Sequence, residues 1–461
     1  MEFTTPNSQP SIRRRVVALP FPGRGHINPM MNLSMLLASK HPDFLITFIV
    51  TEEWLGFLGP ETDLPPNISF GTIPNVIPSE LVRAADHPAF VEATLTNMEE
   101  PIEQLLDTLG SRPVVIIYDV FLGWVPGLGR RRNVPVASLW PMSATVFSMF
   151  KHNHLLLRNG HLPVTNLSEQ GENEIDYIPG VPSSRVLDLP TPFYGRGQPI
   201  LHRALEGVSV VQKTNFLLLT SVYELEQQVI DALRAEYSMP VHAIGPAIPY
   251  FKIRQNCSTE DEDVPDYIKW LDNQPDGSVL YISQGSFLSV SSDQLEEIVA
   301  GVLDSGVTYF WVTKMESSRI SSGNGLVVPW CDQLRVLCHP SVGGFWSHCG
   351  WNSTKEGVFA GVPMLTLPIM WDQITNSKTI VEEWKTGWRV KCRSAVETIT
   401  TRDEIARLVK RFMDLESDEG KEVRKRVREY KEIARQSTAR GGSSDIALDA
   451  FIDNILQTKV D

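Results

Sequence analysis

The sequence predicts an α/β protein, with parallel sheets flanked by helices and spread over two or more domains. Short apolar runs that read as buried strands alternate with helical stretches. The first such unit is a strand at 15–19, a loop at 20–26, a helix and a second strand at 44–50. A length of 461 residues exceeds what one hydrophobic core spans comfortably. The alternation is interrupted at 247–265 by a polar stretch without periodicity, containing the acidic run 258–263, which reads as a linker between 1–246 and 266–440.

Composition narrows the function. A hydrophobic content of 42% with 21% charged residues is that of a soluble globular protein. The formal net charge of −13 argues against a nucleic acid or an anionic membrane surface as partner, and the cluster Arg13-Arg14-Arg15 is too short to overturn that. Five cysteines, an odd number at scattered positions, indicate reduced thiols and a cytoplasmic setting. No apolar run approaches the roughly 20 residues a membrane helix needs, and none reads as a signal peptide.

Within the first part, residues 1–12 are polar and carry no pattern. Asn28-Pro29 suits an N-cap followed by proline at the first helical position, with Met30, Met31, Leu33, Leu36 and Leu37 forming the apolar face. His26 is thereby expected just before the helix, at the carboxyl end of a strand, where open α/β sheets hold their ligands. The helix dipole disfavours a cation there, and a neutral imidazole is what a general base needs. The loop lacks G-x-G-x-x-G, which speaks against a dinucleotide-dependent oxidoreductase. The strand at 113–118 ends in Asp119, which either caps the next helix or orients His26, fixing its tautomer and stabilising the imidazolium. Further strands are expected at 134–140, 212–221 and 241–245, with an irregular, aromatic-rich stretch at 150–203.

In the second part, a strand at 279–283 leads into the small-residue turn Gln284-Gly285-Ser286 and a helix at 291–304. A strand at 307–312 and a polar loop at 317–324 follow. Helices at 400–415 and 421–434 present charged faces, and Gly441-Gly442-Ser443-Ser444 breaks the chain before a last helix at 445–456.

The stretch 330–373 is dense in Gly, Trp, His and small polar residues. Gly343-Gly344 is expected to end a loop and 345–348 to form a short buried strand, followed by a sharp turn at Cys349-Gly350-Trp351. A helix is expected from Asn352-Ser353, with Ser353 and Glu356 in capping-box spacing. A strand, a glycine turn and a helix N-terminus make an anion site, to which His348 can add a donor. Cys331, Cys338, His339, His348 and Cys349 also lie close in sequence, but as neighbours rather than in C-x2–4-C or H-x3–5-H spacing, so no metal site is expected.

This stretch resembles the C-terminal box of the plant family 1 UDP-sugar-dependent glycosyltransferases. Trp330 stands at its start, His348-Cys349-Gly350-Trp351-Asn352-Ser353 in its middle, Glu356 shortly after and Asp372-Gln373 at its end, without a gap. The run 21–29 (FPGRGHINP) resembles the family's N-terminal motif with its base histidine, and 116–124 (IIYDVFLGW) its strand with an aspartate. The resemblance implies the GT-B architecture, two facing Rossmann-like domains with a cleft between them. The acceptor would bind in 1–246 and the UDP-sugar in 266–440, and the segment 441–461 would carry a helix that packs back on the first domain.

It also implies roles. Trp330 would stack on uracil, a contact of about 1–3 kcal/mol. Cys331 would hold the base through its backbone, with Cys331-Asp332 standing where Ala-Pro is more usual. Glu356, helped by Gln333, would take the ribose hydroxyls. His348, Ser286, Asn352, Ser353 and the backbone around Gly350 would take the diphosphate, and Trp351 (by backbone), Asp372 and Gln373 the sugar. The terminal Gln373 resembles glucose users, whereas galactose users tend to carry histidine. The implied reaction is an inverting displacement in which His26 removes the acceptor proton and Asp119 stabilises the imidazolium. The UDP-sugar is a co-substrate, and no cofactor or metal is expected. The acceptor is expected to be a small lipophilic molecule bearing a hydroxyl (a phenolic, a terpenoid or a hormone), and the chain a monomer. The alternatives are another donor such as UDP-xylose, or a nucleotide-sugar-binding regulator without catalysis, against which His26 and Asp119 speak.

Overall fold

The computed structural model describes residues 13–59, 64–195, 197–250, 264–285, 290–313, 324–391 and 399–457. The N-terminal tail, the acidic run of the linker, Ser286 and most of the 317–324 loop lie outside the described residues.

The first half is organised by strands β1 (Arg14–Leu19), β2 (Phe44–Thr51), β3 (Ile68–Ile73), β4 (Pro113–Asp119) and β5 (Val136–Trp140). A short antiparallel pair follows, β6 (Glu174–Ile175) with β7 (Ser184–Arg185), and then β8 (Phe216–Leu219) and β9 (Val241–Ala243). All but β6 and β7 join one parallel sheet in the order β3-β2-β1-β4-β5-β8-β9. β1, β2, β4 and β5 are almost continuously apolar because helices cover both faces of the sheet. The order reverses between β1 and β4. Loops leaving those two neighbours diverge to opposite faces and open a crevice at their carboxyl ends.

The second half repeats the plan with β10 (Val279–Ser283), β11 (Thr308–Val312), β12 (Gly325–Val328), β13 (Val342–Ser347), β14 (Met364–Thr366) and β15 (Gly387–Arg389). These are parallel in the order β12-β11-β10-β13-β14-β15, with the reversal between β10 and β13. Gly343 and Gly344 lie inside β13 rather than in a loop before it. A Cβ on Gly343 would sit 1.9 Å from the Gly277 carbonyl oxygen, and one on Gly344 2.5 Å from the Phe412 ring, so the strand needs glycine for close packing.

The last helix, Ser443–Gln457, buries Leu448, Phe451, Ile452 and Ile455 in one cluster with Val16, Ala18, Ile46 and Phe48 of the first sheet. Lys40 anchors it through Asp445 at 2.5 Å and Asp449 at 2.6 Å. No described helix is long and apolar enough to cross a membrane.

Helix α1 (Arg24–Lys40) starts earlier than its sequence indicated. Gly23 is its N-cap, in extended conformation, and the His26 and Ile27 amides both donate to the Gly23 carbonyl. His26 is therefore in the first turn rather than before it, and Pro29 lies inside the helix.

Candidate functional site

His26 follows β1 and Asp119 ends β4, adjacent strands with Leu19 paired to Tyr118, so the reversal of strand order brings the two side chains together. His26 Nδ1 lies 2.7 Å from Asp119 Oδ2. Asp119 is fully buried, and its Oδ1 accepts from the Phe121 amide at 3.1 Å. The carboxylate thus contacts the imidazole and caps the turn at Phe121, rather than the next helix, which begins at Val125 with Trp124 as its N-cap. With Nδ1 committed, Nε2 is the nitrogen left for chemistry. The Phe21 and Phe121 rings flank the imidazole, with centroids 5.1 Å and 5.6 Å away, and give it two apolar neighbours.

Facing this crevice are Gly285, just after β10, and the loop after β13. Gly285 (φ 86°) and Gly350 enclose the His348 ring, since a Cβ at either would approach Nε2 to 2.8 Å or 2.6 Å. Burial pushes the His348 imidazole down to about 4, a hydrogen bond to the Ser283 backbone opposes that shift, and Nδ1 is buried without a partner. Cys349 takes the left-handed conformation (φ 67°), which turns the chain early enough for the helix Trp351–Ala360 to begin at Trp351. The expected capping box is accordingly not formed. Gly350 is the N-cap, no side chain caps the helix, and its first-turn amides are open to an anion. Asn352 reaches across, donating to the Gly25 carbonyl at 3.0 Å and bringing this helix N-terminus beside His26.

Ser353 and Glu356 serve a different network. Gln333 Nε2 donates to Ser353 Oγ at 2.9 Å and to Glu356 Oε2 at 2.7 Å, while the Tyr281 hydroxyl donates to Gln333 Oε1 at 3.1 Å. Burial raises Glu356 to about 7, against the Gln333 hydrogen bond. Tyr281 was missed in the sequence, where β10 reads only as core. Trp330 next to this network is 64% exposed, a flat apolar surface unusual for so large a side chain. The Cys331 thiol is buried and raised to about 12, which leaves only its backbone as a contact.

Trp351 packs its side chain into the core against Trp384, so it too can offer only backbone to a ligand. Asp372 Oδ2 accepts from Asn376 at 2.8 Å, and Asn376 also donates to the Cys349 carbonyl at 2.9 Å. Burial raises Asp372 to about 6, and the Asn376 hydrogen bond acts in the opposite sense. The Gln373 side-chain oxygen accepts from the Ile369 and Met370 amides at 2.8 Å and 3.1 Å, which fixes the loop and turns the amide NH2 group outward as donor. Lys355, one residue before Glu356, is buried with its amine unbonded, and burial lowers it to about 7 despite Glu356, Glu226 and Asp372 nearby. Among the described residues, no three His, Cys, Asp or Glu side chains gather as metal ligands would.

The comparisons agree with this geometry. The family model for UDP-glucoronosyl and UDP-glucosyl transferase matches residues 220–417. UDP-glycosyltransferase 87A2 of Arabidopsis thaliana is 50% identical, over 98% of this chain and 99% of its own. Phytolacca americana UGT2, solved with UDP-2fluoro-glucose and pterostilbene, superposes with a TM-score of 0.81 at 27% identity, over 96% of this chain and all of its own. Medicago truncatula UGT71G1, solved with UDP-glucose, gives 0.80 at 26% identity, over 96% of this chain and 98% of its own. The two parallel sheets, their facing crevices and full-length similarity to these enzymes place the chain in the plant family 1 UDP-glycosyltransferases, with the GT-B fold.

Proposed function

We propose that this UDP-glycosyltransferase is an inverting enzyme that moves glucose from UDP-glucose to the hydroxyl of a small lipophilic acceptor. The observation that carries the proposal is the buried Asp119 bonded to His26 at 2.7 Å, next to the Asn352 helix N-terminus. The domain starting at β1 holds the acceptor and that starting at β10 the donor. His26 Nε2 takes the acceptor hydroxyl proton as the oxygen attacks the anomeric carbon from the face opposite UDP. The bond from that carbon to the β-phosphate oxygen breaks, and the anomeric configuration inverts. Asp119 stabilises the imidazolium. The leaving diphosphate gathers charge beside the first-turn amides of Trp351–Ala360, Asn352 and Ser353, where preorganised donors are most effective.

A lipophilic acceptor is favoured by the Phe21 and Phe121 rings at His26. Glucose is favoured by Gln373 with its NH2 group free to donate, and by the UDP-glucose and UDP-2fluoro-glucose complexes of relatives.

The test is UDP release with UDP-glucose, UDP-galactose and UDP-xylose against a panel of phenols and aliphatic alcohols. UDP-glucose should support turnover best, and His26→Ala should abolish transfer while leaving UDP affinity within about twofold. Preference for another donor would overturn the glucose assignment. Retained transfer in His26→Ala would overturn the base.

A further inference from the structure

The segment that carries Asp372 and Gln373 is held by the opposite domain. Trp371, immediately before them, has φ 61°, a left-handed conformation that a residue with a Cβ adopts at a cost. Two hydrogen bonds from one residue maintain it. The Trp371 amide donates to Thr191 Oγ1 at 2.8 Å, and the Thr191 amide donates to the Trp371 carbonyl at 3.2 Å. Thr191 is buried, in a short 3-10 turn (Thr191–Phe193) of the first domain. The Trp371 side chain, although it belongs to the second domain's chain, packs on the apolar cluster of Phe21, Phe90 and Tyr118. The His87 ring meets it edge-on at 5.5 Å. One helical turn further, Thr375 Oγ1 donates to the Asp188 carbonyl at 2.8 Å, a second tie between the same two segments.

We propose that Thr191 is a positioning residue for the donor sugar: it holds Trp371 in its left-handed turn and so aims Asp372 and Gln373 at the sugar hydroxyls. The proposal rests on the transferase reading above. It goes beyond that reading by assigning the donor-sugar geometry to a residue of the acceptor domain. Without the hydroxyl, the Trp371 amide is a donor without a partner, the left-handed turn loses its main restraint, and Gln373 loses the loop its own side chain is bonded to. Uracil, ribose and diphosphate contacts lie on other segments and are unaffected.

The experiment compares Thr191→Val, which keeps shape and removes the hydroxyl, with Thr191→Ser, which restores it. For both and for wild type, kcat and KM for UDP-glucose are measured together with the dissociation constants of UDP and UDP-glucose. The expected result for Thr191→Val is a fall of about tenfold in kcat/KM for UDP-glucose, the effect of one lost buried hydrogen bond, with UDP affinity within about twofold of wild type. Thr191→Ser should return to within about twofold of wild type. Three results would overturn the proposal: unchanged kcat/KM in Thr191→Val, equal weakening of UDP and UDP-glucose in that variant, or failure of Thr191→Ser to recover. Failure of the underlying reading is separate, because wild type itself would then release no UDP from UDP-glucose or would prefer another UDP-sugar.

Discussion

Replacing Asp119 by Asn changes one atom of a buried carboxylate and should stop catalysis while sparing binding. Asp119 uses both oxygens, Oδ1 on the Phe121 amide at 3.1 Å and Oδ2 on His26 Nδ1 at 2.7 Å. An asparagine must keep its carbonyl on the Phe121 amide, since turning it round would leave a buried N–H facing an NH2 group, at about 1–3 kcal/mol. The NH2 group then faces His26 Nδ1, which can accept only if the imidazole proton moves to Nε2. That tautomer has no lone pair where the acceptor hydroxyl must be deprotonated. The imidazolium formed in the reaction also loses its carboxylate, a partner contributing about 4 kcal/mol for charges about 4 Å apart at an effective dielectric constant of about 20. The expected fall in kcat is about 10³-fold, equivalent to about 4 kcal/mol. It would be read as UDP release at saturating UDP-glucose and acceptor, with UDP-glucose affinity by calorimetry within about twofold of wild type. A kcat within tenfold of wild type would refute the reasoning and reduce Asp119 to a cap for the turn at Phe121.

Trp330, at 64% exposure, contributes little to the core, so Trp330→Ala should leave the melting temperature within about 2 °C. It should weaken UDP by about 1–3 kcal/mol, or roughly 5- to 150-fold, in a calorimetric titration. Lys355→Met should stabilise the protein by about 1–3 kcal/mol in thermal or denaturant melts, because desolvation of the unbonded amine outweighs the attraction of Glu356, Glu226 and Asp372. The sign with pH follows from the depressed value of about 7 in the folded chain against 10.5 for the free group. The unfolded chain binds the extra proton between these values, so wild-type stability rises with pH across that window and is lost as pH falls through about 7. The advantage of Lys355→Met should therefore be largest near pH 6 and shrink by pH 9, and an advantage that grows with pH would refute the assignment.

How much was legible depends on how local each signal is. The long central strands could be read because β2 and β4 are nearly unbroken apolar runs, and that pattern needs no partner to be recognised. The edge and short strands β3, β14 and β15 could not, because three residues such as Met364–Thr366 become a strand only through the neighbour they pair with. Gly343-Gly344 read as a breaker because glycine breaks strands locally, whereas the requirement at β13 comes from Gly277 and Phe412, far away in sequence. The site divides the same way. Residues clustered in one run, from His348 to Glu356, were found together, and Asp119 was placed against His26 through their similar strand ends. Tyr281, Asn376 and Thr191 make their hydrogen bonds to other segments, and no feature of their own neighbourhoods marks them.

Pro29 shows how a correctly noticed residue can carry a different meaning once the fold is known. Its missing N–H suits the first position of a helix, which is where the sequence placed it, with Asn28 as cap. In α1 it sits in the second turn, where the lost hydrogen bond belongs to the carbonyl four residues back, that of Gly25. A helix carbonyl without its amide must find another donor or water. Asn352, from the helix N-terminus of the other domain, donates to it at 3.0 Å. The proline therefore does not interrupt α1 so much as free an acceptor at the domain boundary, one residue before His26. In the proposed reaction this contact sets the base next to the diphosphate end of the donor site. Under that proposal, alignment of base and leaving group is built into the fold, where it lowers the ordering that the reaction itself must supply.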